Sequence, residues 1–187
     1  MNKSGIIGLS ILGIVILLLV YGVSKYNSII KLHEEVDAKY SDIDVALQRR
    51  ADLIPNLVNS VKGYMKHEEA AINAVTEART KLVGASSISE KANANDELSK
   101  SLNALMVIVE NYPTLKADTT FVNLQDELAG TENRIQVTRK DYNKAVSEYN
   151  KAIQTFPVSI IAKMKNFEKA TYFEAEEGKT SVPNVEF

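Results

Sequence analysis

The chain has no cysteine and only two histidines, His33 and His67. Without cysteine there can be no disulfide, no thiolate metal ligand and no lipid attached through sulfur, so redox chemistry says nothing about compartment. Each histidine precedes paired acids, in His33-Glu34-Glu35 and His67-Glu68-Glu69. Adjacent residues on a helix point in different directions, and neither site has the i, i+4 histidine pair of a zinc helix. Solvated acids at helix starts account for both, and no metal or cofactor is expected. Glycines are scattered singly through the body, so no phosphate-cradling loop or dinucleotide fingerprint is present. No G-x-S-x-G elbow occurs, and neither histidine lies in a motif that would supply a base to a serine. The formal net charge is −2 with both signs mixed, which lacks the basic footprint of nucleic-acid binding. These absences argue against an enzyme and against a nucleic-acid partner.

Charge is also missing between Lys3 and Lys25, and the stretch from Ser4 to Ser24 is rich in Ile, Leu, Val and Gly. That is about the 20 residues needed to cross a hydrocarbon core of roughly 30 Å. In lipid every backbone polar group must be satisfied within the segment, which predicts a membrane-spanning helix with Tyr21 and Tyr26 at one interface. A cleaved signal peptide is the rival, since Lys3 gives a basic start and Gly22-Val23-Ser24 is small-x-small. The apolar run is longer than the usual ~7–15 residues of a signal core and leads straight into helical periodicity, so a retained span is favoured. Lys25, Lys31 and Lys39 follow the span while only Lys3 precedes it. By the positive-inside rule this places the N-terminus outside and the body in the cytoplasm, as a single-pass protein of the cell membrane.

From Ile29 onward bulky residues recur every seven positions, with Ile29, Val36, Ile43 and Leu57 on one seam and Tyr40, Leu47, Ile54 and Val61 on its companion. His33 and Arg50 interrupt the stripe. No Gly or Pro lies between Val23 and Ile54, so the span should continue unbroken into this helix as a rigid stalk. Pro55 clashes with the carbonyl four residues back, that of Ala51, and should kink the helix without stopping it. A second helix is expected from His67 to Val83, with Ala70, Ala71, Ala74, Val75, Ala78 and Leu82 inward and Gly84 as its C-terminal cap. Ser87 and Glu90 have capping-box spacing ahead of a third helix, Glu90 to Glu110, which Asn111-Tyr112-Pro113 ends. In the fourth, Phe121, Leu128, Ile135, Tyr142, Tyr149 and Phe156 keep the same repeat. Gly130 lies inside it, a cost of about 1 kcal/mol relative to Ala that close packing or a bend would explain. Asn143 and Asn150, each following a seam tyrosine, should face outward.

The predicted fold is therefore all-α: an N-terminal transmembrane helix, then an elongated up-and-down four-helix bundle with two long and two shorter helices. Residues 1–25 form the anchor, 26–156 the bundle, and 157–187 a short amphipathic helix with an extended tail. Tyr172, Phe173, Val185 and Phe187 are apolar enough to dock that tail on the bundle or on a partner. The distinctive polar residues are Arg49, Arg50, Asp52 and Asn56 around Pro55, facing Glu132, Asn133 and Arg134 on the fourth helix. They form either a buried polar layer, Arg50 pairing with Glu132 to fix register, or a recognition cleft at the kink.

Taken together, Tyr26-Asn27, the run Gln48-Arg49-Arg50-Ala51-Asp52-Leu53-Ile54-Pro55-Asn56-Leu57-Val58, Val75-Thr76-Glu77-Ala78-Arg79, Gly130-Thr131-Glu132-Asn133-Arg134-Ile135, Asp141-Tyr142-Asn143, Tyr149-Asn150, Phe156-Pro157 and Tyr172-Phe173-Glu174-Ala175 resemble the LemA family of bacterial membrane proteins. The resemblance covers nearly the whole chain. It implies a single-pass membrane protein with a helical body in the cytoplasm, and it brings no catalytic residues with it. The residues favour a membrane-tethered scaffold whose partners are the lipid bilayer and another protein, with oligomeric state left open. Two other classes remain: a signalling relay that switches at Pro55, and an enzyme acting at a polar cleft near Arg49, Asp52 and Glu132.

Overall fold

A computed structural model describes residues 3–65 and 67–174. Among them there is no strand, and six helices follow one another: α1 (Lys3–Lys62), α2 (Glu69–Gly84), α3 (Ile88–Val109), α4 (Pro113–Lys116), α5 (Thr119–Gln154) and α6 (Val158–Met164). α1 runs through Ser24 to Ser28 and through Pro55 without ending, and it includes a stretch long and apolar enough to cross a membrane. Leu9, Leu17, Leu18 and Leu19 are exposed along that stretch, a surface that lipid can cover and water cannot favour.

The chain divides into two compact units, Met1–Lys39 with Lys144–Ala170, and Tyr40–Asn143 with Thr171–Phe187. In the first, Ile29 and Val36 of α1 and Val146, Tyr149 and Ile153 of α5 are buried. His33 meets the Tyr149 ring edge-on at 5.3 Å between centroids and keeps an ion-pair contact with Asp37 at 3.2 Å, half-exposed. The Tyr149 hydroxyl donates to the Glu168 carbonyl, and burial pushes its pKa up. Asn150 is buried too, and grips Ala170 in both directions: its Nδ2 donates to the Ala170 carbonyl at 2.9 Å and its Oδ1 accepts from the Ala170 amide at 2.9 Å.

In the second unit α1, α2, α3 and α5 pack as an up-and-down bundle. Asp44 of α1 pairs with Lys91 near the start of α3, and Tyr64, just past α1, bonds Asp118 just before α5, so α3 runs with α1 while α2 and α5 run against it. Ile43, Leu47, Ile54, Leu57 and Val61 fill the core with Val75, Leu82, Leu98, Leu105, Phe121, Leu128 and Ile135. Tyr142 donates to the Thr171 carbonyl at 2.7 Å, and Asn143 accepts from the Phe173 amide at 2.8 Å. The two asparagines thus hold the extended chain after α6 instead of facing solvent. An amide side chain offers a donor and an acceptor together, which matches the paired N–H and C=O of an unladdered backbone.

Several local expectations change. Gly84 is the last helical residue of α2, and extended Ala85 is its C-cap. The inward face of α2 is Ile72, Val75, Ala78 and Leu82, whereas Ala70 and Ala74 are exposed, because the larger Ile72 sets the helix rotation. Pro113 does end α3's reach, but it also opens α4, since a proline at the first helical position needs no partner for its missing N–H. α5 stops at Gln154, so Phe156 falls outside the seam and is 77% exposed. Gly130 is not explained by close packing: a Cβ there would meet nothing within 4 Å.

Candidate functional site

Ser87 and Glu90 form a complete capping box that sets where α3 begins. Asn95 then joins Leu98, Leu102, Leu105 and Val109 on the buried face. Arg50 of α1, only 4% exposed, reaches between α3 and α5, where its Nη1 donates to Asn95 Oδ1 at 2.6 Å and lies 2.7 Å from Glu132 Oε2. The carboxylate contact is close but poorly aligned for a hydrogen bond, and the Arg50 Nε–H has no acceptor. Burial pulls the guanidinium below its ordinary pKa, while Glu132 and Asp96 hold it up. The layer is therefore polar, charged and under-satisfied.

The other sequence-selected residues separate into two groups. Arg49 and Arg134 point to an open cleft of about 600 Å³ between α1 and α5, also lined by Asp42, Val45, Ala46, Glu127, Gly130 and Thr131. Arg49 lies 4.0 Å from Glu127, at the limit of an ion pair. Asp52, Pro55, Asn56 and Asn133 are exposed outside that cleft, and Asp52 accepts from Gln48 Nε2 at 2.8 Å. Arg49, Asp52 and Glu132 are thus not brought together. Of the tail residues, Phe173 is buried at 1% exposure, with its carbonyl accepting from Arg139 Nε at 3.0 Å, and Tyr172 is 37% exposed. Val185 and Phe187, and the extended segment expected over 181–187, lie outside the described residues.

Three contributors escaped the sequence reading. Asn95 had a signal, since it lies three residues before Leu98 on the α3 seam. Arg79 stands in the Val75-Thr76-Glu77-Ala78-Arg79 motif with no role that spacing assigns: its Nε donates to the Ala51 carbonyl at 2.8 Å, a contact from another helix. Gly130, whose cost close packing or a bend was expected to explain, instead lines the cleft, where a Cβ would meet nothing within 4 Å.

The family model of the LemA family matches residues 39–187, which includes both the polar layer and the cleft. The chain belongs to the LemA family. Protein LemA of Metamycoplasma hominis is 28% identical over 159 residues, covering 83% of this chain and 71% of its own length. Among other relatives, Magnetosome protein MamQ 2 of Paramagnetospirillum magneticum is 28% identical over 176 residues, covering 80% of this chain. Magnetosome protein MamQ of Magnetospirillum gryphiswaldense is 26% identical over 185 residues, 84% of this chain and 68% of that protein. This LemA-family chain spans 65% of the length of the Paramagnetospirillum protein.

Proposed function

We propose that this chain is a membrane-anchored helical scaffold, its N-terminus outside and its helical body cytoplasmic, that offers the α1–α5 cleft to a segment of another membrane protein. The observation that carries the reading is Gly130. A glycine inside a long helix costs about 1 kcal/mol relative to alanine, and here no neighbour would obstruct a Cβ. A glycine there bares the helix backbone, so that a bound segment can approach it closely. Val45 and Ala46 contribute apolar surface to the lining of the cleft, and Arg49, Arg134, Asp42 and Glu127 contribute charge of both signs, a mixture suited to a peptide with side chains of both signs.

A photocrosslinker placed at Val45, 70% exposed, should capture a discrete partner in native membranes. Gly130→Leu, which projects a bulky side chain into the cleft, should abolish that adduct, while capture by a crosslinker at Val107 on α3 should not change. An adduct that survives Gly130→Leu would reject the cleft as the contact, and a partner seen equally from Val107 would reject the directed scaffold.

A further inference from the structure

α6 is a helix of seven residues whose apolar side chains are divided against expectation. Ala162 is buried at 2% exposure, yet Ile160 and Met164, four residues apart on one face, are 52% and 76% exposed. Burying such side chains contributes about 1.5–3 kcal/mol each, so a soluble helix of this length gains nothing by turning them outward. What surrounds them is basic. Lys163, Lys165 and Lys169 are exposed, against Glu168 as the one acid in that stretch.

The position of this face relative to the span is set within the first unit. Lys165 Nζ lies 5.8 Å from the centroid of the Tyr26 ring, and Phe167 packs against the same ring at 6.1 Å. Tyr26 directly follows Lys25, the first charge after the apolar run, and Lys25 Nζ lies 5.5 Å from the Tyr21 ring. Tyrosine and lysine at the end of a span mark the level of the membrane–water interface, where aromatic rings and snorkelling ammonium groups are favoured. The end of α6 is thus tied to the ring that marks that level.

We infer that α6 and Lys163, Lys165 and Lys169 form a second membrane contact, with Ile160 and Met164 entering the bilayer surface and the lysines binding anionic lipid headgroups. The span supplies proximity, the exposed apolar pair supplies insertion, and the lysines supply charge of the sign that an anionic leaflet attracts. The contact rests on the membrane-spanning reading of residues 4–24 and is independent of which partner the cleft takes.

The chain has no tryptophan, so one introduced indole reports alone. The full chain carrying Met164→Trp is reconstituted into vesicles of phosphatidylcholine, with or without phosphatidylglycerol, whose acyl chains are brominated, and flotation with the vesicles reads the span separately. Quenching by the bromolipid is expected, together with protection from aqueous iodide, both stronger with phosphatidylglycerol. Adding Lys163→Glu, Lys165→Glu and Lys169→Glu should cut bromolipid quenching about twofold or more while flotation is unchanged. Because the charge-reversed chain carries the same indole, the indole's own interfacial preference cancels. Val107→Trp on α3 sets the scale for a solvated position. If Met164→Trp is as open to iodide as Val107→Trp, or if quenching is the same in neutral and anionic vesicles, the inference is overturned. Loss of flotation would instead overturn the span.

Discussion

Arg79 replaces the hydrogen bond that Pro55 removes. A helix with proline at position 55 leaves the Ala51 carbonyl without its partner, and Arg79 Nε of α2 donates to that oxygen at 2.8 Å. Ala51 is only 1% exposed, so water cannot do this instead. α1 therefore continues past its proline to Lys62 with the interruption answered from outside the helix.

That relationship is testable by a double-mutant cycle. Arg79→Ala should cost about 1–3 kcal/mol, because it orphans a buried carbonyl. In a Pro55→Ala chain, where residue 55 regains an N–H, the same change should cost about 1 kcal/mol less. Urea unfolding in detergent gives all four stabilities, and strictly additive effects would show that Arg79 does not act through Ala51.

Glu132→Leu should destabilise the second unit by about 3 kcal/mol, since it strands a buried guanidinium. Combining it with Arg50→Met should recover most of that loss, as the stranded charge disappears. Thermal melts of the single and double variants decide the matter. A Glu132→Leu chain that melts with the parent would mean that Asn95 alone suffices for Arg50.

Removing the Asn150 amide should loosen the chain after α6. Asn150→Ala deletes both bonds to Ala170, and exchange of the Ala170 amide should accelerate about tenfold or more. Hydrogen-exchange mass spectrometry over residues 165–174 reads this, and unchanged protection would show that packing of Phe173 and Phe167 holds the segment by itself.

The capping box gives a pH dependence. The Ser87 and Ser86 amides and the Ser86 hydroxyl hold the Glu90 carboxylate down from 4.5 to about 2. A depressed carboxylate contributes stability that is fully present above its unfolded value and is lost as pH falls through the folded one. The Tm difference between the parent and Glu90→Gln should therefore be constant near neutrality and shrink from about 4.5 down to about 2. A gap that is independent of pH would place the role of Glu90 in its shape and not its charge.

The amino-acid sequence by itself determined the all-helical class, the apolar run near the N-terminus and the seams of α1, α3 and α5, because these are written in local periodicity: one period of seven buries Ile43, Leu57, Leu128 and Ile135 whatever their partners are. The capping box was legible for the same reason, being complete within four residues. What surrounds Arg50 was only half legible. A carboxylate beside the α5 seam can be found by spacing, but the choice of Asn95 depends on how α3 is rotated, which its packing against its neighbours decides. Only the tertiary structure decided that Asn143 and Asn150 turn toward the extended backbone after α6, that Arg79 answers for Pro55, and that Gly130 borders a cleft. In each case the partner is unpaired backbone or empty space, and neither leaves a mark in the pattern of side chains.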